Sequence, residues 1–122
     1  MPDKPHDLEE RTEKFAADVR QFIRALPRTV GNIEDVKQLV RASGSVAANC
    51  IEANESLGAK DRVMRFRIAR KEAKECRLWL RLVNTADNRV LDETRAALVQ
   101  EAHELKLILT TIVKKLECGP MR

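Results

Sequence analysis

The chain has 122 residues and a net charge of +4, with 34% of residues charged and 43% hydrophobic, a load that suits one domain of long solvated helices. Four Gly and four Pro are too few for a loop-rich β-sandwich or a disordered chain. The longest stretch without a charge, residues 42–51, is about half of what a membrane helix needs, which excludes a spanning segment.

Apolar residues recur at alternating threes and fours four times over, the spacing that keeps one seam of a helix against its neighbours. Leu8, Thr12, Phe15, Val19, Phe22 and Leu26 form the first seam, which Pro27 stops. A helix over 8–26 is predicted, opened by Asp7 and Glu10 as a capping box. Val36, Leu39, Ser43, Val46, Cys50 and Ala53 form the second seam, on a helix over 33–56 capped by Asn32. Small residues crowd its middle (Ala42, Ser43, Gly44, Ser45, Ala47, Ala48), which implies close approach by a helix of the same chain or of a neighbouring subunit. Phe66, Ala69, Ala73, Cys76, Leu80 and Val83 form the third seam, on a helix over 60–85 with Gly58 as its cap. Leu98, Ala102, Leu105, Leu109, Ile112 and Leu116 form the fourth, over 92–117, with Asp92 at its start and Gly119-Pro120 beyond its end. Connections this short favour antiparallel neighbours. The expectation is an all-α, up-down-up-down four-helix bundle occupying residues 1–122 as one domain.

Met1 to Asp7 hold no apolar core of a signal peptide, so a cytoplasmic location is expected. Three cysteines without paired spacing suit reduced thiols. Cys50 and Cys76 fall on seam positions about 15 Å apart along the bundle axis, too far for a disulfide.

The charge is uneven. Residues 60–81 hold nine basic residues against three acidic ones. Arg67, Arg70, Lys74, Arg77 and Arg81 are spaced 3-4-3-4, one basic helix face about 20 Å long. Such a row suits the phosphates of RNA or DNA. The alternative is a solvated face neutralised by carboxylates, and Glu101 and Glu104 lie level with Lys74 and Lys71 in an antiparallel hairpin. The chain has no Tyr, and its three Phe lie on seams, so binding would be sequence-tolerant. Trp79 belongs to a second stripe, Ile68-Glu72-Glu75-Trp79-Leu82, suited either to the bundle core or to a subunit contact.

Glu52, Glu72 and Glu75 invite comparison with di-iron bundles, which need Glu-x-x-His pairs. His103 follows Gln100 instead, and His6 precedes the first predicted helix, so neither a metal site nor a cofactor is expected. Glu75 and Arg41 are equally distant from the Gly58 turn, which predicts a partly buried Arg41–Glu75 ion pair that fixes helix register. Asn49 and Glu52 share a face and fall level with Arg67 and with Met64 and Arg65, which assigns them hydrogen bonds between helices or subunits. No Gly-rich phosphate loop and no nucleophile beside a His is present, so the chain is not expected to be an enzyme.

Three blocks carry a resemblance. Ser45 to Asn54, with Asn49 and Glu52, resembles the Asn-x-x-Glu block of the four-helix-bundle proteins encoded in 23S rRNA intervening sequences. Ile68-Ala69, Lys71-Glu72-Ala73, Glu75 and Trp79-Leu80 are similar to that family's third-helix signature. Glu101 to Leu105 with Ile108 to Thr110 resembles its fourth helix. The match runs over residues 8–117, with departures at Ala47, Ala53, Gly58 and Arg62. The resemblance implies an antiparallel bundle assembled as a ring-shaped homopentamer, and it implies no established enzyme activity. It also extends to the accessory variability proteins of diversity-generating retroelements, which bind nucleic acid and a reverse transcriptase. The expected function is therefore a non-enzymatic oligomeric scaffold that binds RNA or DNA backbone through the basic third-helix face. The alternative is a structural or protein-interaction module without a nucleic-acid role.

Overall fold

A computed structural model describes residues 5–118. Four helices follow one another, α1 (Pro5–Ile23), α2 (Val30–Asn54), α3 (Ala59–Leu82) and α4 (Arg89–Cys118), and among the described residues there is no strand. Their directions follow from their contacts. Glu9 and Arg20 of α1 meet Asn54 and Ser43 of α2. Arg41 and Asn49 of α2 meet Glu75 and Arg65 of α3. Arg67 on α3 and Val83 just beyond it meet Glu117 and Arg95 of α4. Rising numbers on one helix meet falling numbers on the next, so consecutive helices are antiparallel. Arg11 joins α1 to Glu101 and Glu104 of α4, which closes the ring. Each helix packs on two neighbours, and side chains of all four share one core. No helix among them is long and apolar enough to cross a membrane.

Three helices begin three residues before the predicted points, two of them because other residues cap them. α1 is described from Pro5, which places Asp7 inside the helix. The Thr29 hydroxyl accepts from the Asn32 amide and caps α2. The Asn88 side chain accepts from Leu91 N and starts α4, which leaves Asp92 in its first turn. Gly58 caps α3 as expected, without a side-chain bond. Gly119 and Pro120 lie outside the described residues.

Asn32, freed from capping, does something else. It is 3% exposed; its Nδ2 donates to the Pro27 and Asn84 carbonyls at 2.9 Å each, and its Oδ1 accepts from Asn84 N at 2.8 Å. One buried amide therefore ties the α1–α2 turn to the α3–α4 turn. That second turn is itself constrained. Ala86 and Asp87 have φ of 55° and 57°, and Asn84 Oδ1 accepts from Ala86 N.

The seams form the core. Every residue of the first and third seams is buried. Leu39, Leu80, Leu105 and Leu109 are fully enclosed, each contributing about 1.5–3 kcal/mol. Val36, Ile112 and Leu116 are only partly buried, while Leu91, Ile108 and Val113 are buried as well. A straight α-helix drifts by about 20° per heptad, so over 30 residues the inward face of α4 moves off a strict 3-4 series. Thr12 and Ser43 sit fully buried in the seams because their hydroxyls donate to carbonyls of their own helices. The small residues of α2 admit α1 of the same chain. At Gly44 a Cβ would lie 3.3 Å from Arg20 Nη2, and the Arg20 guanidinium donates to Ala16 O and Ser43 Oγ.

Candidate nucleic-acid interface

The third seam divides α3 into two flanks. Residues one before each seam position face α2; residues one after face α4. Arg41 on α2 engages the first flank, and Glu117 on α4 engages Arg67 on the second. The five candidate cations Arg67, Arg70, Lys74, Arg77 and Arg81 all fall on the α4 flank.

Their surroundings differ from the expected neutralisation. Glu101 and Glu104, expected level with Lys74 and Lys71, lie on the opposite flank of α4, where Arg11 of α1 holds both. Arg11 Nε donates to Glu101 Oε2 at 2.7 Å, and its Nη2 reaches Glu101 Oε1 at 2.8 Å and Glu104 Oε1 at 2.9 Å. Hydrogen bonds from Gln100 and Arg11 hold the Glu104 carboxyl below the usual carboxylate range, and Glu101 foremost raises the Arg11 guanidinium above its own. Arg67 pairs with Glu117, while Arg70, Lys74, Arg77 and Arg81 make no ion pair among the described residues. Lys74 and Arg81 are exposed, and Arg70 and Arg77 are half-buried. Burial also leaves Arg77 Nε without a hydrogen-bond partner.

α4 adds residues that the linear pattern did not reveal. Its α3-facing flank carries Arg95, Val99, His103, Lys106 and Thr110, with its two ends set by the Arg95 bond to Val83 O and by Glu117. Arg81, Asp92, Arg95, Ala96, Val99 and Gln100 line a shallow groove of about 400 Å³ between the two helices.

On the other flank of α3, Arg41 Nη2 donates to Glu75 Oε1 at 2.7 Å, in a pair about half and one-third exposed respectively. Arg41 also holds Glu72, through contacts of 3.1 and 3.3 Å, and Glu72 is the buried partner at 6% exposure. Glu72 shares the face of Glu75 three residues earlier, so one guanidinium reaches both where the level count pairs Arg41 with Glu75 alone. Trp79 is half-buried, and its indole donates to Glu75 Oε1. Asn49 is buried; it accepts from Arg65 at 3.4 Å and donates to Ser45, so its partner is Arg65 where level counting favoured Arg67. Glu52 is exposed and is not drawn into this group.

Burial pushes the Cys50 and Cys76 thiols up to about 12, so both are protonated and unreactive at neutral pH. Two open grooves between α1 and α4, of about 300 and 450 Å³, are lined largely by apolar groups such as Phe15, Phe22, Leu91 and Leu98. The charged groups at their rim are already matched, Lys14 with Asp18 and Arg11 with Glu101.

The sequence profile of the 23S rRNA-intervening sequence protein family matches residues 6–113. Among solved structures, the chain is similar to a protein of unknown function from the S23 ribosomal protein family of Bacteroides thetaiotaomicron. The identity is 24% and the TM-score 0.76, over 91% of this chain and 98% of that one. No curated protein matches.

Proposed function

The chain belongs to the 23S rRNA-intervening sequence protein family, and from that premise we propose that it is a non-enzymatic, homo-oligomeric scaffold of the cytoplasm that binds RNA or DNA backbone along α3. The observation that carries this reading is the row Arg70, Lys74, Arg77 and Arg81, which has no carboxylate partner among the described residues. Four unneutralised cations on one flank of a rigid helix form a standing positive potential, and releasing counterions from phosphate is its natural discharge. Fluorescence anisotropy of labelled RNA and DNA across a salt series tests it. With four phosphate contacts, one for each cation of the row, affinity for a duplex falls about 150-fold between 50 and 200 mM salt. The Arg70→Glu/Arg77→Glu variant flattens the slope of log K against log salt by about two. Absence of binding at 50 mM salt refutes the reading.

Self-association is supported by a second observation. Met64, Leu78 and Leu82 are 55%, 40% and 54% exposed on α3, beside half-buried Trp79. The occupant we assign to this face is another copy of the chain, in line with the ring that the family resemblance implies. A ring repeats the cationic row and raises affinity through avidity. Light scattering after gel filtration should give an oligomer for the native chain and a monomer for Leu78→Glu/Leu82→Glu. A monomeric native chain would leave α3 as an isolated binding helix.

A further inference from the structure

We infer that the α3/α4 face takes the backbone of double-stranded nucleic acid in preference to a single strand, an inference that rests on the backbone-binding reading above. Three observations converge on it.

The first concerns stacking. Single-strand binders gain about 1–3 kcal/mol per base from exposed rings. All four aromatic residues of the chain are accounted for elsewhere. Phe15, Phe22 and Phe66 are buried in the core, and Trp79 sits on the α2 flank of α3 with its indole bonded to Glu75. No Phe, Tyr or Trp ring on the cationic flank offers a base a stacking platform, so a single strand would be held chiefly by its phosphates.

The second is shape. From Arg67 to Arg81 the cations follow a straight helix for about 21 Å, uninterrupted by Gly or Pro. A duplex is straight over far longer distances and meets this line already ordered. A single strand must first lose its chain freedom to lie along it.

The third is width. The contacts at both ends of the α3–α4 pair place Lys106 level with Lys74 and His103 level with Arg77. Lys106 makes no ion pair among the described residues. The unpaired cations therefore lie on two adjacent helices, a row on α3 and Lys106 on α4, whose axes in such packing lie about 8–10 Å apart. One line of phosphates can satisfy one row. Two strands of a duplex place phosphates over both.

The measurement uses the full chain with a labelled 16-base-pair RNA duplex, the same duplex as DNA, and each separated strand, at 50, 100 and 200 mM salt. The duplexes should bind more tightly than their strands at every salt. With five contacts on a duplex (the four unpaired cations of the α3 row and Lys106) and four on a strand, the ratio should grow about tenfold as salt falls from 200 to 50 mM, because each phosphate contact contributes a slope of about 0.9 on a duplex and 0.7 on a strand. Lys106→Gln should lower the duplex slope by about 0.9 and leave the single-strand slope unchanged. Single strands that bind as tightly as duplexes overturn this inference and leave backbone binding standing. An unchanged duplex slope in Lys106→Gln overturns the two-helix footprint. Failure of every probe to bind at 50 mM overturns the underlying reading as well. The RNA and DNA arms identify which duplex is preferred.

Discussion

Asn32 shows how much one side chain can hold. Its amide makes three buried hydrogen bonds to two turns that are 52 residues apart in the chain. Asn32→Ala would leave the Asn84 amide and two carbonyls without these partners. A cost of about 2–4 kcal/mol is expected, given about 1–3 kcal/mol for each buried group left unsatisfied and partial recovery by water. Urea denaturation measures it; a loss below about 0.5 kcal/mol would mean that the turns hold without the clasp. The residue was visible as a helix-start signal because Asn is common there. Its actual role was not, because the Asn84 backbone is brought beside it only when the bundle closes.

Among the helices, the α2–α3 pair is held by an asymmetric ion cluster. Arg41 is half-exposed, whereas Glu72 is buried. Fully buried pairs cost about 3–5 kcal/mol to break and exposed ones about 0–1, so Arg41→Ala should cost about 1–3 kcal/mol. The loss comes mostly from the carboxylate left behind. Accordingly, Arg41→Ala/Glu72→Leu should recover most of it in the same urea assay. If the double variant is no more stable than the single one, the cost lies in lost packing by the Arg41 stem. Level counting from the Gly58 turn was enough to pair Arg41 with Glu75, because a short turn and a 1.5 Å rise fix axial position. It was not enough for Asn49 and Arg65, since long Arg side chains reach past their own level.

For the bundle as a body, the cysteines report its integrity. Cys50 and Cys76 are buried in the core, and Cys118 is exposed at the end of α4. A colorimetric thiol reagent at pH 8 should titrate one thiol in the native chain and three in denaturant. Rapid native labelling of all three would mean that the bundle opens readily. The same burial that silences these thiols is what made them legible as seam residues beforehand.

The seams, the number of helices and the position of the cationic row could all be read from the linear chain, because helical periodicity depends only on neighbours three and four residues away. Family membership followed from the same blocks. Which cation the carboxylates of α4 neutralise could not be read in this way. The seam spacing is the same whether the ring of helices turns left or right, and only that turn decides whether a flank of α4 faces α1 or α3. The turn places Glu101 and Glu104 against Arg11, and it leaves Lys74, Arg77 and Lys106 together along one open face without ion pairs among the described residues.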